Sequence, residues 1–167
     1  YANANLNIGE SSGSHGRFLV DGRLGNVAIL GELKVGNTGS GRGEFIATNA
    51  NNFGSFYVHS NLKVGSYDSA SSATGTFLLN MNNQRFGWST NLAGGYIFTV
   101  GRDAGTYGYV VISNQGVGSF WGHTVNNDHY FQIGENGGSG CVKFVGGQWS
   151  ARLNEFRVGM DSGGRGE

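Results

Sequence analysis

Short stretches in which apolar and polar residues alternate recur along the chain, and each is closed by a glycine. Six share one order: Leu6-Asn7-Ile8-Gly9, Leu33-Lys34-Val35-Gly36, Leu62-Lys63-Val64-Gly65, Phe98-Thr99-Val100-Gly101, Phe131-Gln132-Ile133-Gly134 and Phe156-Arg157-Val158-Gly159. Alternation with a period of two is strand spacing, so each stretch predicts a short β-strand. The first closing glycine is residue 9 and the last residue 159, so the five intervals average 30 residues. Six to ten residues further on stands a second glycine, at positions 16, 43, 75, 108, 140 and 166. Small polar residues fill most of the space between the two. Another apolar run follows the second glycine: Phe18–Val20, Phe45–Ala47, Phe77–Leu79, Val110–Ile112 and Val142–Phe144. Each unit therefore reads as strand, glycine-rich turn, strand and a third segment of variable length.

A unit of two or three short strands cannot bury its apolar side alone, whereas a stack of such units forms one continuous core. Glycine at fixed turn positions supplies the positive φ that other residues adopt only at a cost. The pattern predicts an all-β fold, a parallel β-solenoid (β-helix) of about five to six coils with roughly 30 residues per coil. Residues 1–167 are expected to be a single solenoid domain or a segment of a longer solenoid, with coils starting near residues 6, 33, 62, 98, 131 and 156. A propeller blade calls for about 40–50 residues and four strands. A calcium-binding nonapeptide solenoid requires an aspartate where Gly137–Val142 ends in valine.

The run (Leu/Phe)-x-(Ile/Val)-Gly, followed after a turn by Gly-x-(Phe/Val)-x-(Val/Ile), resembles the degenerate repeats of bacterial β-helical surface proteins. Autotransporter passenger domains and their passenger-associated repeats are the nearest such family. The resemblance covers nearly the whole chain as a pattern and implies a secreted or surface-displayed solenoid. It carries over no catalytic residue. The third segments, especially 80–97 and 113–130, are longer than in many such repeats.

Composition narrows the reading. Glycine supplies 32 of 167 residues and proline none, and eleven basic side chains balance eleven acidic ones. A neutral chain with three lysines lacks the footprint of a nucleic-acid binder. No run of about 18 apolar residues is present to span a membrane as a helix. The single cysteine, Cys141, excludes an intrachain disulfide framework. The missing prolines suit strands paired on both sides, where proline would remove a ladder donor.

Alternation also assigns faces. With Leu6, Leu33, Leu62, Phe98, Phe131 and Phe156 inward, the outward column is Asn7, Lys34, Lys63, Thr99, Gln132 and Arg157, expected to be a solvated face. With Phe18, Phe45, Phe77, Val110 and Val142 inward, the outward positions are Leu19, Ile46, Leu78, Val111 and Lys143. Four of these five are apolar, which predicts a stripe that is either covered by the third segments or packed laterally on a neighbour. Cys141 falls outward too, as an ordinary small residue or as a thiol available for intermolecular bonding. Residues 164–167 repeat 41–44, after which Phe45 follows. Tyr1 and Glu167 are therefore candidate contacts, either with flanking coils of a longer chain or with copies stacked end to end through open strand edges.

Candidate chemistry is sparse. The third segments hold Trp88, Trp121 and Trp149, which serve either as interior stacks or as platforms for sugar rings. The loop of residues 126–129 is a polar turn that turn chemistry explains. The carboxylates and the four histidines fall at unrelated repeat positions, without the pairing that glycoside cleavage, a metal or a triad requires. No catalytic residue, metal or cofactor is expected. The expectation is a structural, non-enzymatic, extracellular or cell-surface solenoid that extends a rod or assembles into a fibre. The alternative is an adhesin or fibre-type module that contacts glycans through exposed aromatics.

Overall fold

The computed structural model describes residues 4–20, 25–48, 55–65, 72–81, 85–88, 97–113, 117–121, 130–153 and 155–167, with backbone alone at 117–121 and 148–152. In it, each of the six alternating stretches is a strand that ends at a glycine of positive φ. The values are 62° at Gly9, 64° at Gly36, 66° at Gly65, 59° at Gly101, 62° at Gly134 and 61° at Gly159. An L side chain enters this left-handed region at a cost of about 1–2 kcal/mol, and glycine enters it freely.

The first unit contains β1 (Leu6–Ile8), β2 (His15–Leu19) and β3 (Val27–Ile29), and the second β4 (Leu33–Val35), β5 (Arg42–Ala47) and β6 (Ser55–Val58). The third contains β7 (Leu62–Val64), β8 (Thr74–Asn80) and β9 (Arg85–Trp88), and the fourth β10 (Ile97–Val100), β11 (Tyr107–Ser113) and β12 (Val117–Trp121). The fifth contains β13 (Tyr130–Ile133), β14 (Ser139–Val145) and β15 (Gln148–Arg152), and the last β16 (Glu155–Val158) and β17 (Arg165–Gly166). Among the described residues there is no helix, and hence none long and apolar enough to cross a membrane.

The strands assemble into three parallel sheets. The first has the order β1-β4-β7-β10-β13-β16, the second β2-β5-β8-β11-β14-β17 and the third β3-β6-β9-β12-β15. Every neighbour in a sheet is therefore the equivalent strand of the next unit. Register follows the sequence repeat without slippage, since Leu6, Leu33, Leu62, Phe98, Phe131 and Phe156 form one row of the first sheet. In the second sheet Gly16, Gly43, Gly75, Gly108, Gly140 and Gly166 form another. The ladder runs on through the turn glycines, where Gly36, Gly65, Gly101, Gly134 and Gly159 donate their N–H to Ile8, Val35, Val64, Val100 and Ile133 carbonyls at 2.8–2.9 Å.

The second glycine has a different role from the one that turn chemistry suggests. It has no positive φ, and it lies inside the second strand, which begins one residue before it in all six units. Its requirement is steric. A Cβ on Gly75 would run into the backbone N of Gly65 and the carbonyl oxygen of Val35, and one on Gly108 into the Val64 carbonyl and the Gly101 N. The turn glycines meet the same limit, since a Cβ on Gly36 would strike the Thr74 carbonyl and one on Gly101 the Ser139 carbonyl.

The inward rows make the core. Leu33, Leu62, Phe98, Val35, Val64, Val100, Phe77, Val110 and Ile112 are fully buried. Phenylalanines meet from unit to unit, stacked with ring centroids 5.2 Å apart for Phe18–Phe45 and 4.8 Å for Phe45–Phe77, and edge to face at 4.6 Å for Phe98–Phe131. The same rows open at the outermost units, where Phe18 is 39% and Phe156 56% exposed, because each has a neighbouring unit on one side only. The third segments contain a strand in every one of the first five units, including β9 and β12 within the longest. At the corners asparagines reach across units: Asn5, Asn26 and Asn61 each accept the backbone N–H of a residue in the next unit (Glu32, Ser55 and Ile97) at 2.8–2.9 Å.

Gly75→Ala is expected to lower stability by roughly 3 kcal/mol or more, at the severe end for one substitution. Gly13→Ala, with φ +73° but nothing within 4 Å of the added Cβ, should cost only about 1–2 kcal/mol. Urea midpoints of the two variants measure the difference, and equal losses would show that the backbone approach at Gly75 is not limiting.

Candidate functional site

The outer face of the first sheet is not the solvated column that alternation predicts. Lys63, Thr99 and Gln132 are buried there, at 6%, 0% and 4% exposure, and only Asn7 is exposed. The reason lies in the charged side chains on and beside the column, which lie over the sheet and pair instead of extending into water. Glu32 bonds to Lys34 at 3.1 Å and to Lys63 at 3.2 Å, and accepts a hydrogen bond from Asn61 at 2.5 Å; Lys34 also reaches Glu10 at 3.6 Å. Towards the last unit, the buried Glu135 pairs with Arg157 at 2.9 Å and Arg102 at 3.5 Å, while Arg157 also holds Glu155 at 2.6 Å and lies over the Tyr130 ring. This arrangement joins units by charge and does not leave a carboxylate ready for acid–base work.

The outer face of the second sheet is open. Leu19 is 57% exposed, and Ile46, Leu78 and Val111 are half-buried in one row with it. The row ends at Lys143. At the first-unit end, Glu44 gathers His15 at 3.5 Å, Arg17 at 3.4 Å and Arg42 at 3.1 Å. At the other end the side chains alternate large, small, large. Tyr107 and Tyr109 of β11 stand beside Ser139 and Cys141 of β14, and these beside Arg165 and Glu167. The small middle pair leaves a hollow of about 280 Å³, lined by both tyrosines, Ser139, Cys141, Lys143, Arg165 and Glu167. On the far side of Tyr109 a second hollow of about 270 Å³ is lined by Thr48, Leu78, Leu79, Val111 and Ser113.

Several expected site residues take other roles. Trp88 is no sugar platform: it is fully buried in the third sheet and donates its Nε1–H to the Ser60 carbonyl at 2.8 Å. Its neighbour in register, Val58, is fully buried in the preceding unit, and the large aromatic continues that core row. The side chains of Trp121 and Trp149, and all of Tyr1, lie outside the described residues. Cys141 falls on the outer side by register, but Tyr109 and Lys143 line the same hollow and it is only 7% exposed, so it is not a freely presented thiol. Glu167 continues the second sheet by backbone bonds, with its carbonyl accepting from Val142 N–H and its own N–H donating to Gly140. Among the described residues no three His, Cys, Asp or Glu side chains gather as metal ligands. The sequence reading passed over Tyr107 and Tyr109, although the alternation Tyr-Gly-Tyr with an inward glycine already placed both rings outside.

No family model, curated protein or solved structure matches this chain. The functional reading therefore rests on geometry.

Burial pushes the Glu32 carboxyl up, but hydrogen bonds from Asn61 and Lys34 and the nearby Lys63 charge outweigh it and hold the group below its ordinary value. A carboxyl depressed in the fold contributes stability that is present above the unfolded pKa, about 4.3, and is lost as pH falls through the lower folded value. Urea unfolding across pH 6 to 3 should show this loss, and Glu32→Gln should reduce the slope. An unchanged slope in the variant would place the pH dependence elsewhere.

Proposed function

We propose that the chain is a structural β-solenoid. In this reading the three sheets are the sides of a parallel β-helix, each unit is one coil, and the molecule serves to extend a rod or build a fibre outside the cell or at its surface. One observation carries the reading: every strand pairs only with its equivalent in the next unit, in identical register, through all three sheets. Such a stack has no intrinsic end, because the last strand of each sheet presents the same unpaired N–H and C=O groups that the previous strand used. On the first sheet's face Glu10, Glu32 and Glu135 pair with Lys34, Lys63 and Arg157 of the following unit, which suits a structural surface better than a reactive one.

Growth of the rod uses the strand edges of the outermost units, and the apolar row Leu19, Ile46, Leu78 and Val111 supplies lateral contact between rods. Among the described residues β1, β2 and β3 have no partner on their outer side, and in this reading a second copy pairs there. A rod built this way diffracts with an axial spacing near 4.8 Å, one strand separation per coil.

Sedimentation velocity and electron microscopy of the 167-residue chain test the proposal. Rods that lengthen with concentration, with the axial spacing above, are the expected outcome. The variant Leu19→Asp/Leu78→Asp/Val111→Asp should still form single rods but lose side-by-side bundles, with circular dichroism unchanged. A chain that stays monomeric at every concentration, or bundles that persist in the variant, would count against self-assembly and against the stripe respectively.

A further inference from the structure

We propose that the hollow beside Tyr109 binds a carboxylated sugar residue, a hexuronate unit of an acidic polysaccharide. The site arises from side-chain size. Its floor is Ser139, Gly140 and Cys141, and its two walls come from the units on either side, Tyr107 and Tyr109 on one and Arg165 and Glu167 on the other. Walls two strand separations apart are about 9.6 Å from backbone to backbone, and the side chains narrow this to a slot for one ring. The volume, about 280 Å³, lies just under the range that holds drug-sized ligands, about 300–1,000 Å³.

The chemistry of the walls selects the ligand. Tyr107 is 46% exposed and Tyr109 half-buried, so their rings offer an apolar surface to the C–H face of a pyranose. On this sheet face Arg17 and Arg42 are neutralised by Glu44. Lys143 and Arg165 differ, since among the described residues neither is ion-paired to a carboxylate; the Lys143 ammonium lies 5.8 Å from the Tyr109 ring centroid. Two exposed cations against the single carboxylate of Glu167 leave the hollow positive, and beside an aromatic platform they fit a carboxylate carried on a sugar ring, where charge-assisted hydrogen bonds are the strong ones. Glu167, on the same wall, accepts from sugar hydroxyls and disfavours a dianionic phosphate. The neutral charge of the chain as a whole likewise offers no field for a phosphate polymer.

Titration calorimetry of the 167-residue chain with trigalacturonate, an alginate trimer and a hyaluronate tetrasaccharide tests the inference. Saturable binding of at least one is expected, weakened at least tenfold by methyl esterification of its carboxylates. Tyr109→Ala and the pair Lys143→Gln/Arg165→Gln should each reduce it at least tenfold, while Tyr109→Phe retains it. All three side chains altered reach the surface, so urea midpoints within error of the parent chain confirm that the fold is intact. Absence of binding to all three probes, equal binding of the methyl esters, equal binding of polyglutamate or inorganic phosphate, or full affinity in the variants would each overturn the proposal.

Discussion

At the corner between the first and second sheets, the backbones of three successive units come within contact distance, and only glycine permits it. The second glycine of a unit lies against the N–H of its own turn glycine and the carbonyl that ends the previous unit's first strand, as Gly75 does with Gly65 and Val35. The turn glycine in turn faces a carbonyl of the following unit, as Gly36 faces that of Thr74. This double approach sets the position of one sheet relative to the next and fixes the register along the stack. Core rows, asparagine corners and charge ties all inherit that register.

With register fixed, each side-chain row becomes a column of equivalent positions, and its properties depend on what the column holds. The inward columns hold Leu, Val and Phe and close into a continuous core. The outer column of the first sheet holds charges that tie unit to unit and bury themselves in doing so. The outer columns of the second sheet hold mixed residues, so local variation in size creates relief on an otherwise flat surface. The hollow at Tyr109 exists because small Ser139 and Cys141 sit between larger neighbours. A stacked repeat thus makes a charge-tied face and a face with relief from the same backbone.

Much of the fold was legible in the chain. The six first strands, their turn glycines and the inward row from Leu6 to Phe156 followed from period-two alternation alone. The second strand was legible too, although it starts three residues before the apolar run, at Arg42 and its equivalents, because Gly43 and its equivalents pair within the sheet and do not turn. Less was legible of the site. Trp88 carries no mark in the sequence that separates a buried aromatic from an exposed platform; its burial depends on the core row of Val58, which is brought beside it from another unit. Lys63 and Thr99 looked like surface positions because alternation gives the direction of a side chain and not what lies over it.

The sequence by itself determined the all-β repeat, its period and which residues of each first strand face the core. These are local consequences of glycine backbone freedom and of the two-residue strand period. Only the tertiary structure decided which outward residues are covered and which are open. Glu32 and Lys63 are 31 positions apart in the chain and become an ion pair only when their strands are neighbours. Tyr109, Cys141 and Glu167 become one surface for the same reason: equivalent positions in successive units are brought side by side only by parallel pairing.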